Sequence, residues 1–168
     1  MSNPAHKVLV VDDDESIRKS LCKLLHGEGY QVVTVASGSR AVEILCLERV
    51  KFDLLLVDLN MPLKNGWATL DRVLEINPFL PVIIVTGQPN QQEMAEAAGV
   101  NALVEKPIDV PLLLQIIQNL LAEAAKSRLP RTDQQALPFY CARVADYTRR
   151  YAWTDPNATA YPHGGLNE

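Results

Sequence analysis

Histidine and cysteine are scarce in this sequence, at three residues each, and nowhere do about 18 uncharged apolar residues run together. The missing apolar run leaves no candidate for a spanning helix, and no cationic start leads into a long apolar segment. A soluble, cytoplasmic chain without a membrane partner is expected. The cysteines, Cys22, Cys46 and Cys141, are odd in number and far apart, with no CxxC pair. That pattern excludes a disulfide framework and a thiolate zinc site, and it fits a reducing compartment. Cys22 and Cys46 fall within helical segments and are expected to be buried small apolar groups. His6, His26 and His163 have no acidic or Cys neighbours at ligand spacing, so each is expected at the surface or at a helix end. Charge of one sign is also modest: 16 Lys and Arg against 20 Asp and Glu leave −4, which argues against a nucleic-acid footprint over the whole protein.

What is present is enough apolar residue, 48% of 168, to bury the core of one domain with an extension. Short runs rich in β-branched residues alternate with longer segments of helical period, the pattern of strands and crossover helices over a parallel sheet. Five strands are predicted: Lys7 to Val11, Gln31 to Val35, Leu54 to Val57, Val82 to Thr86 and Ala102 to Glu105. Between them apolar residues recur at three- and four-residue steps: Ile17, Leu21, Leu24 and Leu25; then Val42, Leu45 and Cys46; then Leu70, Val73 and Leu74. A fourth helix over 91–98 is short, and the fifth carries Leu113, Ile116, Ile117, Leu120 and Leu121 on one face. The first, third and fourth strands are apolar throughout, so helices should cover both of their faces.

After Ala125 the composition changes. Pro130, Pro138, Pro156 and Pro162 punctuate the chain, and six of the ten aromatic residues fall in this stretch. Residues 5–125 are therefore read as one domain and 126–168 as an extension. The domain side is acidic, −6 over residues 1–125, while 126–168 carries +2. Tyr140, Val144, Tyr147 and Tyr151 recur at helical spacing, which predicts a short amphipathic helix over 139–153; residues 157–168 have the composition of disordered chain.

The acids fall where an open α/β sheet keeps its active crevice, at the carboxyl ends of the strands where strand order reverses. The first strand ends in Asp12-Asp13-Asp14, the third in Asp58, the fourth in Thr86-Gly87, and the fifth leads to Lys106-Pro107. In the order 2-1-3-4-5, a common one for such sheets, the first and third strands adjoin at the reversal, so Asp12, Asp13 and Asp58 converge. Two carboxylates about 4 Å apart repel by roughly 4 kcal/mol at an effective dielectric near 20, so a cation must sit among three. An all-oxygen cluster suits a hard ion that keeps some waters, which points to Mg²⁺, with Lys106 as a second positive charge. Such a carboxylate is equipped to attack phosphorus and form an aspartyl phosphate.

Each residue alone has a plainer use. Asp14, Glu15 and Ser16 are acids and a cap at a helix start, favoured by its dipole, and Asp12 and Asp13 would serve there too. Asp58 alone would begin a turn. It is the coincidence of these acids with Thr86 and Lys106 at four strand ends that carries the argument.

VLVVDDDESIR, LLLVDLNMPLKNG, IIVTG and VEKPI together resemble the receiver domain of two-component response regulators, over roughly residues 5–124. The spacing from Asp58 to Met61, Pro62 and Gly66 agrees with that family's pattern. The resemblance implies a flavodoxin-like, doubly wound, five-stranded parallel sheet of order 2-1-3-4-5 with helices on both faces. It implies that Asp58 is the phosphoacceptor, charged by a histidine kinase or phosphotransfer protein. Mg²⁺ would be held by Asp13, Asp58 and the backbone carbonyl of Asn60, with Asp12 acting mainly through water. Thr86 would hydrogen-bond a phosphoryl oxygen beside the space left by Gly87. Lys106 would pair with the phosphoryl group and precede a cis bond to Pro107. Family members couple Thr86 to an aromatic residue three positions before the Lys; here that switch position is Leu103, which departs from the pattern. Asn60 and Gln88 occupy the positions said to tune phosphoryl lifetime.

The 43 residues after Ala125 offer one helix and few aliphatic side chains, short of a helix-turn-helix module, so a stand-alone receiver acting through protein contacts is expected. Self-phosphorylation and autodephosphorylation would be its only chemistry, and a phosphatase would want a second acid where Asn60 stands. The extension has three readings: aromatics packed on the receiver or on a second copy, as a homodimer; a helix that captures an unknown downstream protein; or nucleic-acid contact through Arg143, Arg149 and Arg150, disfavoured by the low basic count. Phosphorylation-independent scaffolding with a receiver fold is the alternative function. Trp67 opens the third helix near the acids and is read as packing.

Overall fold

A computed structural model describes residues 5–47, 51–61, 66–127 and 139–142. Its elements run β1 (Lys7–Val11), α1 (Glu15–Gly27), β2 (Gln31–Val35), α2 (Gly38–Cys46), β3 (Leu54–Asp58), α3 (Gly66–Ile76), β4 (Val82–Thr86), α4 (Gln92–Ala97), β5 (Ala102–Glu105), α5 (Val110–Ser127) and β6 (Tyr140–Ala142). All strand pairs are parallel, in the order β2-β1-β3-β4-β5-β6. The five expected strands are present, in the expected order, with bounds met to within one residue.

Alternation of side chains across a strand divides the core into two layers. Val8 and Val10 of β1, Leu54 and Leu56 of β3, Ile83 and Val85 of β4 and Ala102 and Val104 of β5 pack with Leu21 and Leu25 of α1 and the apolar face of α5. Leu9, Val11, Leu55, Val57, Val82, Ile84 and Leu103 face the other way, onto Ala41 of α2, Leu70 and Val73 of α3 and Ala95 of α4. Each fully buried Leu, Ile or Val contributes roughly 1.5–3 kcal/mol against the cost of ordering the chain. Both faces of the central strands are covered, which is why they carry no polar residue until their tips.

Helices α1, α2 and α5 begin on side-chain caps. Asp14 caps α1, accepting from the Ser16 and Ile17 N–H groups at 2.7 and 3.2 Å, with Glu15 in the first turn. Asp109 does the same for α5, accepting from the Leu112 N–H at 3.0 Å. His26 stands in the last turn of α1, while His6 Nδ1 lies 3.6 Å from the Asp53 carboxylate, a partner 47 positions along the sequence. His163 lies outside the described residues. Among the described residues no helix is long and apolar enough to cross a membrane.

Two expectations need correction. Cys22 is half-buried and Cys46 exposed, because α2 packs through Gly38 and Ala41 and its last residue turns outward. The start of the helix expected over 139–153 is instead strand β6: Tyr140 pairs with Ala102, Cys141 with Leu103 and Ala142 with Val104. The tyrosine spacing fits a helix, but the edge of β5 presents backbone donors and acceptors that an adjacent strand satisfies, and this tertiary opportunity overrides local period. The Tyr140 N–H donates to the Asn101 carbonyl at 2.8 Å. The remainder of that helix, and the expected disordered end, lie outside the described residues.

Candidate functional site

Strand register builds the site. Val11 pairs with Val57, so the next residues, Asp12 and Asp58, emerge side by side from the tips of β1 and β3. Asp58 pairs with Val85 and Thr86 with Glu105, so the following residues Leu59, Thr86 and Lys106 crowd the same end. The Lys106 N–H donates to the Thr86 carbonyl at 2.8 Å, and the Lys106–Pro107 bond is cis. Asp12, Asp58 and Thr86 are buried, whereas Asp13 is exposed.

One oxygen of Asp12, of Asp13 and of Asp58 lie within 4.8 Å of one another. Lys106 Nζ reaches into this cluster, donating to Asp58 Oδ2 at 2.7 Å and lying 3.6 Å from Asp12 Oδ2. Asp58 Oδ1 accepts from the Asn60 N–H at 2.9 Å, and Asp12 Oδ1 from the Asp14 N–H at 2.8 Å. The Thr86 hydroxyl donates to Asn60 Oδ1 at 3.2 Å and accepts from the Gln88 N–H at 3.0 Å.

Burial pushes the Asp12 carboxyl above its ordinary 3.8; the Asp14 N–H and Lys106 oppose this, and the charges of Asp58 and Asp13 add to it. Burial pulls Lys106 the other way, but its hydrogen bond to Asp58 and the charges of Asp58 and Asp12 win and hold it above its ordinary 10.5. One ammonium cannot neutralise three carboxylates. The donor set is all oxygen and is open to solvent at Asp13, which fits a hard divalent ion such as Mg²⁺ far better than zinc.

Close approaches explain two glycines. A Cβ on Gly66 would lie 2.8 Å from the Leu59 Cα, so α3 starts hard against the chain leaving β3. A Cβ on Gly87 would meet Asn60 Nδ2 at 3.0 Å, beside Thr86. Pro62, the other turn residue in the motif, lies outside the described residues.

Six of the seven expected site residues, Asp12, Asp13, Asp58, Asn60, Thr86 and Lys106, come together. Leu103 does not join them: it is fully buried in the apolar layer with Ile84, Ala95 and Val100, and half-buried Trp67 packs against that layer. Sequence reasoning missed Arg18. Its Nη1 donates to the Asp12 and Asp13 carbonyls at 2.7 and 2.8 Å, tying the acidic loop to α1. The available signal was its place one turn after the cap, where the Arg18 N–H donates to the Asp14 carbonyl at 3.0 Å. The Asn60 side chain as a partner of Thr86, 26 residues away, was also missed.

A doubly wound parallel sheet with an acidic cluster and a lysine at its point of reversal is the architecture of a signalling receiver. The response regulator receiver domain pattern matches residues 8–118, and this chain belongs to that family of two-component systems. It is 36% identical over 134 residues to the transcriptional regulatory protein GlrR of Escherichia coli strain K12, covering 79% of this chain and 29% of that protein. It is 40% identical over 117 residues to the transcriptional regulatory protein ZraR of Escherichia coli O157:H7, covering 68% and 26%. The chain thus spans less than a third of the length of these curated relatives. A CheY-like response regulator receiver domain protein from Methanospirillum hungatei superposes with a TM-score of 0.68 at 30% identity, over 73% of this chain and 98% of that one.

Proposed function

We propose that this chain is a phosphoacceptor receiver: Asp58 takes a phosphoryl group from a phosphohistidine of a histidine kinase or phosphotransfer protein in the cytoplasm. The observation that carries this is Asp58 Oδ2 held 2.7 Å from Lys106 Nζ inside a cluster of three carboxylates. An Asp58 oxygen bonds to phosphorus as the phosphorus–nitrogen bond of the donor breaks and the imidazole leaves, giving an acyl phosphate. Lys106, already aimed at Asp58, pairs with the incoming phosphoryl oxygens, and the Thr86 hydroxyl exchanges Asn60 for one of them. Asp12, Asp13, Asp58 and the Asn60 carbonyl would hold Mg²⁺, whose charge when bound offsets that on the phosphoryl oxygens. No separate substrate is turned over, and output passes through protein contacts.

The test is Mg²⁺-dependent labelling by acetyl phosphate. Wild type should label with one phosphoryl group per chain and Asp58→Asn should not; labelling that survives the substitution would refute the site. Leu103, buried where the family places its aromatic switch, supports a second reading as a phosphorylation-independent adaptor. Under that reading Asp58→Asn binds downstream protein as well as wild type does.

A further inference from the structure

Strand β6 lies beyond residue 118, where the family pattern ends, and the five preceding strands already close both core layers. It is three residues long, and Phe139, Tyr140 and Cys141 are each only half-buried. The place it occupies is nonetheless shaped for a strand. Among the described residues β5 has no other neighbour on this edge. Tyr140 packs against the layer that holds Ala102, Val104 and the face of α5, while Phe139 and Cys141 pack against the layer that holds Leu103, Ala95 and Val100. The Tyr140 N–H reaches the Asn101 carbonyl at 2.8 Å.

We infer that the edge of β5 is a docking groove for an extended peptide running parallel to it, and that residues 139–142 are its exchangeable occupant, supplied in cis. The groove takes an aromatic residue at the Tyr140 position and apolar residues at the Phe139 and Cys141 positions, on the opposite layer. Main-chain hydrogen bonds supply affinity and the side chains alternating between the two layers supply selectivity. Three half-buried residues gain little over the entropy lost in ordering them, which places this strand at the low-stability end of the molecule and makes it replaceable. Covalent attachment to α5 keeps it at high local concentration, so a free peptide of the same sequence is excluded until the resident strand is disabled. The same occupancy covers an edge that would otherwise pair with another copy.

The experiment compares the full-length protein with Tyr140→Pro, which removes the N–H that bonds Asn101 and cannot continue the ladder. The probe is a fluorescein-labelled peptide of sequence ALPFYCARVAD, residues 136–146, under reducing conditions. Tyr140→Pro should bind it at least tenfold more tightly than wild type, and a peptide carrying Pro at the Tyr140 position should not bind. Tyr140→Gly, which keeps the N–H and loses the ring, should lie between, and it serves alone if the Pro variant does not fold. Equal affinity for wild type and variant, or no binding by a variant that melts like wild type, overturns the groove. A wild-type dimer in sedimentation that Tyr140→Pro dissolves overturns the occupancy in cis by moving the strand to a second copy.

Discussion

Asp12 and Asp58 emerge from adjacent strand tips with 2% and 3% exposure, yet their surroundings differ. Both oxygens of Asp58 are bonded, one to the Asn60 N–H and one to Lys106 at 2.7 Å. Asp12 has the Asp14 N–H but sees Lys106 only at 3.6 Å. At Asp12 burial therefore wins, and the carboxyl is held above its ordinary range. The comparison teaches that equal burial does not mean equal duty. Asp58 has its cation built in at 2.7 Å, whereas Asp12 has Lys106 only at 3.6 Å.

Removing the shared lysine breaks this contrast most severely. Lys106→Met should slow acetyl phosphate labelling of Asp58 by a hundredfold or more, on the order of the loss seen when one charge-stabilising donor is removed. It should also destabilise the protein by about 2 kcal/mol or more in urea melts without Mg²⁺, since it leaves three carboxylates together. Labelling at the wild-type rate would show that Lys106 is only structural.

Asp12→Asn sharpens the contrast instead. Without Mg²⁺ it should stabilise the fold by on the order of 1 kcal/mol, because a buried, under-paired charge is gone. With Mg²⁺ it should bind the ion about tenfold to a hundredfold more weakly, measured by titration. Asp58→Asn, which also loses the short Lys106 pair, should gain less stability than Asp12→Asn. Equal gains would erase the distinction between the two acids.

The same pair predicts a pH dependence. Asp12 has its folded value raised above 3.8, so its contribution to stability is fully present below about 3.8 and is lost as pH rises through the folded value. Metal-free wild type should therefore fall behind Asp12→Asn as pH climbs from 3.8, and match it more nearly below. Lys106 is raised above 10.5, so its contribution holds at neutral pH and disappears above 10.5. Urea melts of both proteins across pH 3.5 to 7 check the first statement.

The smallest effect expected is at Arg18. Arg18→Ala frees the Asp12 and Asp13 carbonyls and should weaken Mg²⁺ binding by about tenfold, the usual scale for groups that orient metal ligands. Melting in the absence of the ion should change by under about 1 kcal/mol, and Arg18→Lys should recover part of the affinity. A purely structural arginine would lower stability and leave Mg²⁺ affinity unchanged.

Most of the domain was legible because its signals are local. The unbroken LLLV before Asp58 marks a strand covered on both faces, and its stop on a carboxylate marks the tip. Once β1 and β3 were read as neighbours, the meeting of Asp12 and Asp58 followed from strand geometry. Arg18 was legible only as a residue one turn after the Asp14 cap; that its long side chain folds back over the loop onto the Asp12 and Asp13 carbonyls leaves no signature in the spacing. The exposure of Cys46 depends on where α2 ends against its neighbours. Strand β6 was misread because the spacing of Tyr140, Val144, Tyr147 and Tyr151 also fits a helix, and only the neighbouring edge of β5 decides between the two.

By itself the sequence determined the alternation of elements, the five strands and their apolar faces, the cap at Asp14, and the acids at the strand tips, because all of these arise from the order of polar and apolar residues along a few turns or one strand. Tertiary structure alone decided which oxygen meets Lys106, that Asn60 holds Thr86, that Arg18 ties the acidic loop, and that Tyr140–Ala142 closes the sheet. Those contacts join residues that become neighbours only after helices and strands have packed, and their energies depend on distances of a few ångströms that no local pattern encodes.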